Sequence, residues 1–172
     1  MKILLISLPR TGSHSLMNKI SFDNNLKIYS EPFYSKNRYL YDNMIWENEN
    51  NFIVKTIINQ IPFDGLNNIQ FYKNFSNIFD DVILLSRKDL VACTESLSYL
   101  LYNKKDGFSH NESYVWNYTP NYNEIKEYIN QCDVDLKHLS VELKKDIIYY
   151  EDIFNPNSDE RLRINNQEKT II

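Results

Sequence analysis

The chain has 172 residues, the size of one domain, and no Pro-, Gly- or Ser-rich stretch or block of like charge divides it. With 42% apolar residues, 13 Tyr and 9 Phe, it has the material for a single packed core and not for a disordered chain. Its net charge of −4, from 19 Lys and Arg against 23 Asp and Glu, argues against a general nucleic-acid binder. Any anion site must then be a local arrangement of a few cations and amides.

In chain order, the first strand is expected over 2–7, "KILLIS", followed by the loop "LPRTGSHSL" and a helix over about 13–21. A second strand, "KIYS" at 27–30, leads into "EPF", and a third, "FIVKTI", covers 52–57. A helix is expected over 67–78, then a strand "DVILLS" at 81–86 and a helix over 89–103. The stretch 112–132, "ESYVWNYTPNYNEIKEYINQC", breaks at Pro120 into two helices, and another helix covers 135–144. The last strand is "DIIYY" at 146–150.

Several of these strands are continuous apolar runs, which suits strands covered on both faces. Strand–helix alternation of this kind predicts an α/β fold, a parallel sheet of about five strands with right-handed crossovers, in a single domain over 1–172. Ligands of such sheets gather beyond the carboxyl ends of the strands. Residues 7–15, 31–33, 55–60, 86–89 and 151–152 are therefore the places to search.

The two cysteines, Cys93 and Cys132, have no metal-ligand spacing and read as free thiols in a reducing compartment. The three His are scattered, so no metal is expected. No signal peptide or membrane-spanning run is recognisable, and a cytoplasmic protein is expected.

"LPRTGSHSL" has the makings of an anion loop. Gly12 opens a backbone conformation closed to other residues. Thr11, Ser13 and Ser15 supply hydroxyl donors, the first-turn amides of the following helix carry partial positive charge, and Arg10 adds a planar charged fork. A Walker A loop needs an earlier Gly and a Gly-Lys-Ser/Thr ending, whereas here Gly12 is followed by "SHS". The plain alternative is a strand–turn–helix with a Ser cap and an exposed Arg.

The loop resembles the 5′-phosphosulfate loop of sulfotransferases that use 3′-phosphoadenosine 5′-phosphosulfate (PAPS), in the bacterial trehalose-type form. The match covers Pro9, Arg10, Thr11, Gly12 and Ser13, with His14 in place of the usual Thr. A second segment, "RKDLVACTESL", is similar to that branch's 3′-phosphate motif: Arg87 ends an apolar strand and Ser96 follows nine residues later on the next helix. Read alone, it is a surface Arg and a helical Ser bonded to its own backbone. A third segment, "YYEDIFNP", resembles the family's late strand end, with Tyr150, Glu151 and Asp152 supporting the nucleotide loop.

The resemblance implies a P-loop NTPase-like sulfotransferase fold and a sulfuryl transfer from PAPS to an acceptor hydroxyl, a carbohydrate or other small alcohol, with no metal. Arg10, Thr11, Gly12, Ser13, His14, Ser15, Arg87 and Ser96 would bind the donor, and Arg10 would stabilise charge on the leaving phosphate. For the base, cytosolic members of the family place a His after a "K-T" strand end. This chain has Ile57 after Lys55 and Thr56. Glu31, at the end of the second strand, is the alternative base, and His14 is its rival. Lys55 is a further cation near the sulfate. Trp116 and the tyrosines are core candidates as much as stacking ones.

Beyond "YED" the chain is shorter than larger members of the family, and Arg161 or Arg163 would have to reach the 3′-phosphate in their stead. Acceptor-binding insertions are sparse, which leaves a small acceptor or an open site closed by a second subunit in a homodimer. Neither a nucleic acid nor a membrane is expected as a partner. A nucleotide kinase, a non-catalytic module binding PAPS or its product, and a structural protein on a decayed fold are the alternatives.

Overall fold

The computed structural model describes residues 1–33, 49–61, 67–102 and 119–154. Trp116, Pro156, Arg161, Arg163 and the expected helical residues 112–118 lie outside the described residues. Five strands, β1 (Lys2–Ser7), β2 (Lys27–Ser30), β3 (Phe52–Ile57), β4 (Asp81–Ser86) and β5 (Ile147–Tyr149), form one sheet in the order β2-β3-β1-β4-β5. Every neighbouring pair is parallel, with Leu5 opposite Lys55 and Ile83, and Ser86 opposite Tyr149. The continuous apolar runs of β1 and β3 end up buried almost throughout, as strands covered on both faces require.

The helices are α1 (Ser13–Asn24), α2 (Asn68–Phe75), α3 (Leu90–Tyr102), α4 (Tyr122–Leu143) and the single turn α5 (Tyr150–Ile153), with a 3₁₀ turn at Ser76–Ile78. One sheet face, presenting Leu4, Ile6, Val54 and Leu84, packs on Tyr72 of α2 and on Cys132, Leu136 and Leu139 of α4. The opposite face, with Ile3, Leu5, Ile53 and Leu85, packs on Leu16 and Met17 of α1 and on Phe154. Alternating strand residues thus feed two cores, giving three layers. A third cluster joins α3 to α4 through Cys93, Leu97, Leu101, Ile125 and Ile129.

The expected division between helices at 112–132 and 135–144 is not observed: α4 runs through it unbroken. No Pro or Gly interrupts this stretch, and Ile125, Ile129, Cys132, Leu136 and Leu139 repeat at alternating intervals of four and three, one continuous helical face. Asn121 starts the helix one residue after Pro120, with a reciprocal capping box to Glu124. β5 is shorter than expected because Tyr150 already begins α5. No helix among the described residues is long and apolar enough to cross a membrane.

Leu4 is fully buried in the central strand between α2 and α4. Leu4→Ala is expected to lower the unfolding free energy by about 2–5 kcal/mol, read from the midpoint of urea denaturation.

Candidate functional site

The strand order sends the chain to one side of the sheet after β1 and to the other after β4, so the carboxyl ends of these two neighbours border a crevice. The end of β1 is fastened on both sides: Leu8 N donates to Leu85 O (3.2 Å) and Ile58 N to Ser7 O (3.0 Å). Thr11 is fully buried and its hydroxyl donates to Leu8 O (3.0 Å), closing the turn. It serves the loop's shape, where the sequence placed it among the anion's donors. Gly12 is the residue before α1 and adopts φ +71°, with no side chain to cap the helix. The Ser cap of the plain alternative is therefore absent, and no N-cap side chain shields the first-turn amides of Ser13, His14 and Ser15. Ser13 is buried and His14 exposed.

A Cβ on Gly12 would lie 2.5 Å from Tyr150 Cε2. Only a glycine lets the Tyr150 ring lie this close to the loop. Phe154 supports the ring at 4.8 Å, and the Arg87 guanidinium lies 5.3 Å from its centroid.

Arg10 also has a left-handed backbone, φ +62°, and its Nε donates to Ser96 Oγ at 3.0 Å. The two motifs thus meet, but through Arg10, which the sequence aimed at the leaving phosphate. Arg10 O lies 3.9 Å from the Cys93 thiol on the same helix. Burial pushes that thiol up to about 11, against the pull of the Arg87 and Arg10 charges, so both guanidinium groups act on one buried sulfur.

Arg87 Nε sits 3.4 Å from Glu151 Oε1, out of hydrogen-bonding alignment. Glu151 in turn accepts Lys88 N (2.9 Å) and Asp89 N (3.3 Å), while Lys88 Nζ pairs with Asp152. The carboxylates of "YED" thus hold the loop after β4, where the sequence expected hydrogen bonds to the loop after β1; only the Tyr150 ring reaches that one. Burial raises the Glu151 carboxyl, but the backbone amide donors and Arg87 outweigh it and hold it below the ordinary range. Asp89 Oδ1 accepts Ala92 N (2.9 Å), capping α3 and placing Ser96 about two turns in.

Glu31 lies at the end of β2, two strands and so about 10 Å from β1. Its Oε1 accepts from the buried Lys55 ammonium and its Oε2 from Gln60 Nε2 (2.9 Å). Lys55 is accordingly engaged by Glu31. Gln60 was not singled out in the sequence, although it falls within the strand-end residues 55–60. Its turn is pinned by the buried Tyr72 hydroxyl, shared between Ile57 O (2.8 Å) and Gln60 O. Among the described residues five non-glycine residues have positive φ; Asn25 and Lys144 cap helices and Asn51 is a loop Asn, which leaves Arg10 and Glu31. Unrelieved backbone strain of this kind clusters at working sites.

No family model and no curated protein sequence matches the chain significantly. Among solved structures, it is similar to shikimate kinase from Bacteroides thetaiotaomicron, at 13% identity and a TM-score of 0.52, over 99% of this chain and 98% of that one. It is also similar to the YorR protein from Bacillus subtilis, crystallised in complex with phosphorylated GDP, at 11% identity and a TM-score of 0.49, over 87% and 84% of the two chains. The fold is therefore α/β of the P-loop NTPase-like kind.

Gly12→Ala is expected to cost about 1–2 kcal/mol from the left-handed backbone alone, with a further loss from the Tyr150 ring. In a double-mutant cycle Tyr150→Leu should relieve the second part and not the first. Glu151→Gln should destabilise the protein at neutral pH. Because the folded carboxyl titrates below its ordinary value of 4.5, its stabilisation is present above that value and is lost as pH falls from there through the lower, folded titration point. The gap between wild type and variant in denaturation midpoints should therefore shrink on acidification.

Proposed function

We propose that the chain is a PAPS-dependent sulfotransferase that passes a sulfuryl group to an acceptor hydroxyl of a carbohydrate or other small alcohol. The observation that carries this reading is the Arg10–Ser96 hydrogen bond, which joins two segments 86 residues apart, each resembling one phosphate motif of that family. The uncapped first turn of α1 beside Gly12 supports it, as an amide cradle for the donor's phosphosulfate end. No residue of the loop after Gly12 is a lysine that would serve a nucleoside triphosphate.

In this reading the acceptor oxygen attacks sulfur in line, the bond from sulfur to the bridging phosphate oxygen breaks, and 3′-phosphoadenosine 5′-phosphate (PAP) leaves. The acceptor proton goes to Glu31. Lys55 and Gln60 each hold one of its oxygens, which orients the carboxylate. His14, exposed on the first turn of α1, is the rival base or a donor to the sulfuryl oxygens. The reaction needs no metal if amides and guanidinium groups surround the anion. The protein would be cytoplasmic, with a second copy of the chain closing the acceptor side in a homodimer.

A nucleotide kinase is the second reading, favoured by the fold shared with shikimate kinase. Thermal shift separates the two, since a ligand bound to the folded state alone raises the midpoint. PAP is expected to stabilise the protein more than ATP with magnesium does; a larger shift with ATP and magnesium would overturn the sulfotransferase reading. Glu31→Gln should retain the PAP shift and lose most of the transfer rate, about 10²-fold or more for removal of a general base. A normal rate would remove Glu31 from the base's role.

A further inference from the structure

We propose that Arg10 is a specificity residue for the nucleotide's 3′-phosphate, and not the clamp on the sulfuryl end that its place in the loop implies. This rests on the sulfotransferase reading and assigns within it which end of the donor Arg10 holds.

The left-handed turn at Arg10 carries its side chain across the crevice to α3, where Nε donates to Ser96 Oγ at 3.0 Å. Among the described residues Ser96 engages only the Nε–H of the fork, so the two terminal nitrogens can meet two oxygens of one phosphate. As an acceptor from Arg10, the Ser96 hydroxyl keeps its own proton to donate to the same anion.

Arg87 approaches from the β4 side. Its side chain is about three-quarters buried, and Nε is buried without a hydrogen-bond partner beside Glu151. The Cys93 thiol, one helical turn before Ser96, lies 3.9 Å from Arg10 O, and the Tyr150 ring that covers Gly12 carries the Arg87 guanidinium 5.3 Å from its centroid, so both arginines border the same turn. Two guanidinium groups and a hydroxyl suit a phosphate dianion. The α1 end of the loop, by contrast, offers amides and the hydroxyls of Ser13 and Ser15, and Arg10 is turned away from it toward α3.

The discriminating pair of ligands is PAP and 5′-AMP, which differ only in the 3′-phosphate. Isothermal titration of the full chain should show wild type preferring PAP. In Arg10→Met, whose exposed position leaves the core untouched, PAP affinity should fall by about ten- to a hundredfold, the range of a charge-assisted bond. Its 5′-AMP affinity should stay within about twofold, which also reports that the variant is folded. Ser96→Ala should weaken PAP selectively as well, and the two losses should be less than additive because the residues share one contact.

If Arg10→Met weakens both ligands alike, Arg10 serves the 5′ end and the assignment is wrong. It is equally wrong if neither affinity changes while wild type prefers PAP. A wild type that binds PAP no better than 5′-AMP would instead overturn the sulfotransferase reading on which the assignment stands.

Discussion

The pairing of β1 with β4 runs past the last residue of β1, where Leu8 N donates to Leu85 O, and the site depends on this register. It brings the loop after β1 and the loop after β4 to one crevice, while α1 and α3 leave it on diverging paths. Without the hydrogen bonds from Leu8 and Ile58 the turn at Pro9–Gly12 would not be held on both flanks. Thr11 adds a third restraint from inside the turn, and Tyr150 a fourth from above Gly12. A loop so restrained can hold Arg10 and Gly12 in left-handed conformations that a free chain would leave.

Electrostatically the protein is acidic overall, and the cations near the crevice are held in defined company. Arg87 faces Glu151, Lys88 faces Asp152 and Lys55 faces Glu31, while Arg10 is held by a neutral hydroxyl. Arg10 thus has no carboxylate partner among the described residues and contributes its whole charge to the crevice. Arg87, tethered by Glu151, is a weaker attractor but a better positioned one. An arrangement of this kind concentrates positive potential locally on a chain whose net charge is −4.

Glu31 illustrates a different balance. A carboxylate with a buried ammonium on one oxygen and a buried amide on the other is fixed in direction. Its left-handed backbone is unusual before Pro32, because the residue preceding a proline favours extended conformations. The Glu31 N–H donates to Lys55 O at 2.6 Å, so β3 holds both the backbone and the side chain of this residue. The Tyr72 hydroxyl, kept neutral by burial, anchors the turn that carries Gln60.

Periodicity in the sequence was sufficient to place four of the five strands to the residue and α1, α2 and α3 to within a few residues. Buried parallel strands are written as uninterrupted apolar runs, and helices as spacings of three and four. The ends of the apolar strands also marked Gly12, Arg10, Arg87 and Glu31 as places to search, whereas Ser96, inside α3, was marked by its nine-residue spacing from Arg87 in the resemblance to the sulfotransferase motif. The false break near 133 arose where polar residues interrupt a helix whose buried face continues unbroken. Local pattern could not decide the strand order, the Tyr150 ring over Gly12, the transfer of Arg10 from the α1 end to Ser96, or the enclosure of Glu31 by Lys55 and Gln60. Each of these joins residues from separate elements, and their contact depends on sheet order and backbone turns that only the assembled core imposes.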